Sequence, residues 1–264
     1  MNVIELGSVT LHYRIEGDAD GMPVVFANSL GTDFRLWDKI IPRLPPGLRI
    51  LRFDKRGHGL SSCPEGDYSM DELVEDTARL LQALDISNCL FVGLSIGGLI
   101  AQGLASRYPQ LLRAMVVSNS AARIGDESMW RERIALLRSD GIEAIADNIM
   151  QRWFAQRFRE QQALEVSAWR NMLTRTPAAG YIGCCAAIAA TDFTAQSAAL
   201  GLPTLLIAGS EDGSAPPGVV RATADLIPGA RFELIEDAGH LPCVEQADEY
   251  ARILNEFIRE NGHA

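Results

Sequence analysis

Apolar positions along this chain change their period several times, and each change marks an element. Residues 22–27 (Met-Pro-Val-Val-Phe-Ala) and 89–93 (Cys-Leu-Phe-Val-Gly) are near-continuous apolar runs. Runs of that length read as strands buried on both faces, the environment a parallel sheet provides. Residues 48–54, 113–118, 203–209 and 230–235 read as further strands, and 2–15 as two short strands about a Gly7-Ser8 turn. Ser69-x-x-Glu72 has capping-box spacing, and Leu73, Thr77, Leu80, Leu81 and Leu84 follow as a helical stripe. Residues 99–108 predict a helix stopped by Pro109, and 35–44 a helix disturbed by Pro42.

This alternation predicts an α/β fold: a mostly parallel, twisted sheet with helices on both faces. Between 119 and 190 the strand signal disappears. Four helical stretches replace it, at 127–140, 142–154, 158–175 and 178–190, with Gly141 and Pro177 as breaks. The alternation then returns, with helices near 218–227 and 246–260. Residues 1–118 and 191–264 are therefore expected to form the core, and 119–190 a helical cap over the sheet's active edge.

Composition narrows the function class. With 264 residues, 47% of them hydrophobic, the chain can bury a large core as one domain plus an insertion. A net charge of −10 argues against a nucleic acid or an anionic membrane as partner. Met1 to Leu6 carry no basic and apolar leader pattern, and the near-apolar run 89–105 is broken by Ser95, Gln102 and several glycines. The expectation is a cytoplasmic enzyme acting on a small molecule. The five cysteines, at 63, 89, 184, 185 and 243, show no Cys-x-x-Cys spacing, and most of them read as small buried hydrophobes.

The strand at 89–93 runs directly into Gly93-Leu94-Ser95-Ile96-Gly97, followed by a helix. Gly-x-Ser-x-Gly between strand and helix is a tight elbow whose glycines leave room for close backbone, lifting the Ser95 hydroxyl out of the sheet towards solvent as a nucleophile. A nucleophile at such an elbow needs an acid and a histidine further along the chain. His12 and His58 precede Ser95, and His263 is the penultimate residue, where chains fray. His240, on the loop after the last strand, remains. Asp212 directly follows the strand 203–209; its neighbour Glu211 is the competing acid. The oxyanion hole is expected from the backbone N–H of Ile96 and that of Leu30, on the loop after strand 22–27. Ser29 either adds a hydroxyl there or simply forms the turn. The chemistry implied is acyl transfer through an acyl-enzyme, with no metal or organic cofactor.

These residues resemble the α/β-hydrolase superfamily along the whole chain. Asp54-x-Arg56-Gly57-His58-Gly59-x-Ser61 is a recurrent superfamily segment, structural in that setting. Asn28-Ser29-Leu30-Gly31-Thr32-Asp33, Gly93–Gly98, Asn119-Ser120-Ala121-Ala122-Arg123-Ile124-Gly125 and Arg152-Trp153-Phe154 are together similar to 3-oxoadipate enol-lactonases of the β-ketoadipate pathway of aromatic breakdown. The resemblance implies a five-membered enol-lactone bearing an acetate side chain, opened to 3-oxoadipate. That carboxylate asks for a cation. Arg133 stands three residues after Trp130 on the first cap helix, and Arg123 and Trp153 are further candidates beside Trp130. A solvated surface is the competing reading for the arginines of this block, which include Arg131, Arg138 and Arg152, and packing onto the core for its tryptophans. The alternatives on the same fold are a general carboxylesterase or a meta-cleavage C–C hydrolase; outside enzymes, a small-molecule receptor on a hydrolase scaffold.

Overall fold

The computed structural model describes residues 1–262. Eight strands form one sheet: β1 (Asn2–Glu5), β2 (Thr10–Gly17), β3 (Met22–Ala27), β4 (Leu48–Phe53), β5 (Cys89–Leu94), β6 (Leu112–Ser118), β7 (Thr204–Gly209) and β8 (Arg231–Ile235). Their spatial order is β1-β2-β4-β3-β5-β6-β7-β8. The first two pairings, β1 with β2 and β2 with β4, are antiparallel; all the others are parallel. Every residue of β5 and of β7 is buried. Side chains alternate between faces along a strand, so both faces of the sheet must be covered.

Helices α1 (Met70–Ala83) and α2 (Ile96–Arg107) pack on each other, and α2 lies on β5 and β6. The capping box is present: Ser69 Oγ accepts the Glu72 N–H at 3.2 Å, and the Glu72 carboxylate accepts the Ser69 N–H at 2.9 Å. Between β6 and β7 the chain builds α3 (Glu127–Asp140), α4 (Glu143–Trp153), α5 (Gln156–Gln161), α6 (Ala163–Thr174), α7 (Ala178–Ala189) and the short α8 (Thr194–Ala198). After β7 come α9 (Pro217–Leu226), α10 (Pro242–Glu245) and α11 (Ala247–Asn261). Among the described residues no helix is long and apolar enough to cross a membrane.

Two helix expectations need correction, and one helix was not expected. Residues 35–44 form two 3-10 turns, Phe34–Trp37 and Ile41–Arg43, because Pro42 removes a donor and the Asp33 carboxylate caps the first turn through Arg35 N–H at 3.0 Å. The stretch 158–175 divides into α5 and α6 at Gln162, whose φ of −122° and ψ of 38° leave the helical region. The helix α8 carries too little apolar periodicity to be read in advance. Four of the five cysteines are buried free thiols, as their composition suggested, and Cys63 is half-buried.

The helix α7 ties the inserted block to the core. Gly180 lies so close to the loop after β4 that a Cβ there would come within 2.3 Å of the Gly57 carbonyl oxygen. Backbone meets backbone at this seam, and only glycine permits it on either side.

Candidate active site

Ser95 occupies a strained conformation, φ 59° and ψ −118°. Its own amide donates to the Ser118 carbonyl at 2.9 Å, and its carbonyl accepts from Gly98 N–H at 2.8 Å and from Ser120 Oγ at 2.7 Å. The surrounding backbone thus over-determines the turn. A Cβ on Gly93 would stand 2.0 Å from the Gly97 carbonyl oxygen, and one on Gly97 2.4 Å from that of Ala27. Steric demand therefore accounts for both glycines of the motif. Contrary to the expected exposure, Ser95 is only 7% accessible. Side chains of the inserted helices, among them Trp130, Arg133 and Tyr181, share its cavity and cover it.

Asp212 and His240 come together from the ends of β7 and β8. His240 Nδ1 lies 2.8 Å from Asp212 Oδ2 and 3.0 Å from Oδ1. A carboxylate only accepts, so Nδ1 carries the proton and Nε2 is left as the acceptor. The other lone pairs of Asp212 are occupied as well. Oδ1 accepts from the amides of Ser214 at 2.7 Å and Ala215 at 2.9 Å, and Oδ2 from Asn119 Nδ2 at 2.9 Å. Glu211, the competing acid, is exposed, and among the described residues His240 Nδ1 pairs with Asp212 alone.

Two residues that sequence reasoning did not single out hold this arrangement. Asn119, at φ 47°, turns its side chain to Asp212 and to the Gly239 carbonyl. Glu245 accepts from Gly239 N–H at 2.7 Å and from Ala155 N–H at 2.8 Å, joining the loop before His240 to the inserted block. Burial pushes its carboxyl up to about 7 against the pull of those two N–H groups. The signal for Asn119 was present in its place at the end of β6; Glu245 had none.

The other histidines have structural partners. His12 Nδ1 meets Asp54 at 2.8 Å. His58 Nε2 accepts the Gly31 N–H at 2.9 Å, and burial with the nearby Lys55 charge holds the ring well below its usual pKa. His263 lies outside the described residues.

Leu30 and Ile96 both approach the elbow, and among the described residues neither of their amides donates to a protein acceptor. The amide next to Leu30, that of Gly31, does. Ser29, Leu30, Ser95 and His240 line one narrow cavity of about 30 Å3, closed on its far side by Trp130, Arg133, Arg152 and Trp153. Trp130 Nε1 donates to the Ile124 carbonyl at 2.7 Å, and the Arg133 guanidinium lies over its ring at 4.7 Å. Trp153 accepts the His240 N–H on its carbonyl at 2.8 Å.

Among the described residues neither Arg133 nor Arg152 forms an ion pair, whereas Arg131 and Arg138 pair with Glu127 and Asp67. Arg152 Nε and Ser29 Oγ are both buried without a hydrogen-bond partner. Burial, and then the charge of Arg133, lower the Arg152 pKa. Arg123 departs from expectation. Its side chain is 52% exposed, lies 3.8 Å from Asp192 and does not line the cavity, because the turn after β6 directs it to the surface. A larger groove of about 840 Å3, between residues 33–39 and α6, contains neither Ser95 nor His240.

The sheet order, the strained serine elbow and the paired Asp212 and His240 define a hydrolase architecture, and the sequence model of the alpha/beta hydrolase fold matches residues 22–247: the chain belongs to the α/β-hydrolase family. Within that family it is similar to 3-oxoadipate enol-lactonase 2 of Acinetobacter baylyi, 35% identical over 92% of this chain and 90% of that protein. The crystal structure of the enol-lactonase from Burkholderia xenovorans superposes with a TM-score of 0.95 at 34% identity, covering 98% of this chain and 100% of that one. A thermophilic esterase from Thermogutta terrifontis, solved with malate bound, gives 0.91 at 26% identity over 97% and 95%. The protein is a hydrolase whose relatives include ester-cleaving enzymes.

Proposed function

We propose that the protein hydrolyses a small anionic enol-lactone, 3-oxoadipate enol-lactone to 3-oxoadipate, in the breakdown of aromatic compounds. The observation that carries this reading is the cavity itself. Ser95 and His240 share it with two arginines that have no carboxylate partner. Kinship to enol-lactonases and the malate held by a more distant relative support an acid as the ligand.

The proposed reaction gives each group of the cavity a step. His240 Nε2 takes the Ser95 hydroxyl proton as Oγ bonds to the lactone carbonyl carbon. The carbonyl oxygen becomes an oxyanion facing the Leu30 and Ile96 N–H groups. Asp212 stabilises the imidazolium formed above it. Collapse breaks the ring C–O bond, and the leaving enolate takes the proton from His240. Because the lactone is cyclic, the leaving group stays tethered to the acyl-enzyme. Water, deprotonated by His240, then attacks the acyl carbon, Ser95 recovers its proton, and the enol tautomerises to the ketone. The enolate is a better leaving group than an alkoxide, so this chemistry suits a serine nucleophile.

The test is turnover of freshly generated 3-oxoadipate enol-lactone, followed as loss of its ultraviolet absorbance, with Ser95→Ala as control. Wild-type turnover that Ser95→Ala abolishes supports the reading. Hydrolysis of aryl esters without lactone turnover replaces it with a general carboxylesterase.

A further inference from the structure

Lys55 stands on the loop after β4 and is 4% exposed, yet among the described residues no carboxylate forms an ion pair with its ammonium group. Its Nζ donates instead to the Ser29 carbonyl oxygen at 2.6 Å. That oxygen also accepts from Thr32 Oγ1 at 3.0 Å and from Thr32 N–H at 3.3 Å. The Ser29 carbonyl is one end of a planar, conjugated peptide group whose other end is the Leu30 N–H. A cation on the carbonyl draws electron density from the amide nitrogen and strengthens the N–H as a donor, as hydrogen bonds in a chain polarise one another.

We propose that Lys55 is a positioning residue for acyl transfer, its charge acting through the Ser29–Leu30 peptide to strengthen the Leu30 N–H donor that faces the developing oxyanion. This rests on the reading of Leu30 as an oxyanion donor. It explains why the fold keeps a charge that is costly to bury.

The groups around Lys55 offer no ground-state neutralisation by contact. Its environment includes Asp54 on its own loop, Asp33 on the loop after β3 and Cys184 on α7, with burial the dominant influence. The Cys184 thiol is pushed up to about 12 by burial, so it is neutral. His58, held neutral, accepts the next amide along, that of Gly31, and so pins the loop without adding charge. Asp54 and Asp33 act on the ammonium group only through space, and the charge that meets it through the Ser29–Leu30 peptide arises when the carbonyl oxygen acquires it.

A neutral donor could pin the loop equally well, so the experiment must separate charge from pin. Burial lowers the Lys55 ammonium to about 8. Deprotonation removes the charge but leaves an amine N–H still able to donate to Ser29. The protonated form is the active one, so kcat for the lactone should fall as pH rises through about 8 while KM holds. Lys55→Met should lower kcat at pH 7 about tenfold, less than the 10²–10³ lost with a whole oxyanion donor, and should lack the alkaline limb. Lys55→Gln, a neutral donor, should resemble Lys55→Met. Thermal melts check that each variant is folded.

A wild-type profile flat to pH 9.5 overturns the proposal without any variant. So does a Lys55→Gln enzyme with wild-type kcat, which would leave Lys55 as a pin alone. Failure of the underlying reading is distinct: it would appear as a wild-type enzyme that does not turn over the lactone, or as lactone turnover that survives in Ser95→Ala.

Discussion

The strain stored at Ser95 can be measured by releasing it. At φ 59° and ψ −118° a residue with a Cβ is held in a sparsely populated region, at a cost of about 1–3 kcal/mol. Ser95→Ala removes the hydroxyl and keeps the Cβ; Ser95→Gly removes both. The pair therefore isolates backbone strain from every effect of the hydroxyl. Glycine also gains freedom in the unfolded chain, which opposes the benefit by about 0.4–1 kcal/mol. The net expectation is that Ser95→Gly is more stable than Ser95→Ala by about 1 kcal/mol. For a chain of this size that corresponds to roughly 2–4 °C in Tm. The bonds that hold the elbow, from Ser95 N–H to Ser118 and from Gly98 N–H and Ser120 Oγ to the Ser95 carbonyl, are backbone or external and survive in both variants. Differential scanning calorimetry of the two proteins in the same buffer gives the comparison. A Ser95→Gly protein melting at or below Ser95→Ala would show that the elbow carries no strain to release.

Three further outcomes follow from the geometry. Arg133→Ala and Arg152→Ala should each raise KM for the anionic lactone roughly 10- to 100-fold, the worth of a charge-assisted hydrogen bond at about 1.5–3 kcal/mol, with little effect on a neutral aryl ester; equal effects on both substrates, in steady-state kinetics, would remove the carboxylate from the model of binding. Asp212→Asn should lower kcat about 10⁴-fold with the fold intact, because an amide NH2 facing His240 Nδ1 moves the imidazole proton to Nε2, where an acceptor is needed. Gly180→Ala should destabilise the protein by about 1–3 kcal/mol in chemical denaturation, since its Cβ would meet the Gly57 carbonyl at 2.3 Å and α7 must move away; unchanged stability would mean that the seam is soft.

The parallel core was legible because it rests on short-range patterns. A strand such as 89–94 must be apolar throughout to lie between two layers, and the elbow must have glycine at 93 and 97 to turn at all. Chain order singles out His240 and leaves Asp212 beside Glu211 as the acid, and it is Asp212 that lies 2.8 Å from His240. What escaped depends on contacts that no local pattern records. Asn119 supports Asp212 across a separation of 93 residues, and Glu245 reaches Ala155 across 90. The helical block shows the same limit. Arg123 and Arg152 look alike in the sequence, and both lie beside residues of the site. The turn after β6 sends Arg123 to Asp192 at the surface, whereas α4 carries Arg152 into the cavity.

That an acidic chain leaves Arg152 and Arg133 without a carboxylate partner among the described residues follows from how Asp212 is held. Asp212 is among the charges that act on Arg152, but four donors already occupy its oxygens: two backbone amides, the Asn119 side chain and His240. A carboxylate so saturated cannot draw the guanidinium down onto itself and neutralise it. Arg152 is thus left between its own desolvation and the like charge of Arg133, both of which oppose its ionised form. An anion supplied from outside relieves both at once, and the net charge of −10 does little against it, because salt screens that field beyond about 8–10 Å. The cavity of about 30 Å3 has room for a water or two rather than a lactone, so binding has to displace lining side chains. Met129 and the Arg133 guanidinium resting on Trp130 are the adaptable ones, the first unbranched and the second held by a ring face rather than a carboxylate. On the proposed reading, selection among acyl groups then rests on charge and on repacking by the inserted helices, with the Ser95 elbow and the Asp212–His240 pair held by the core.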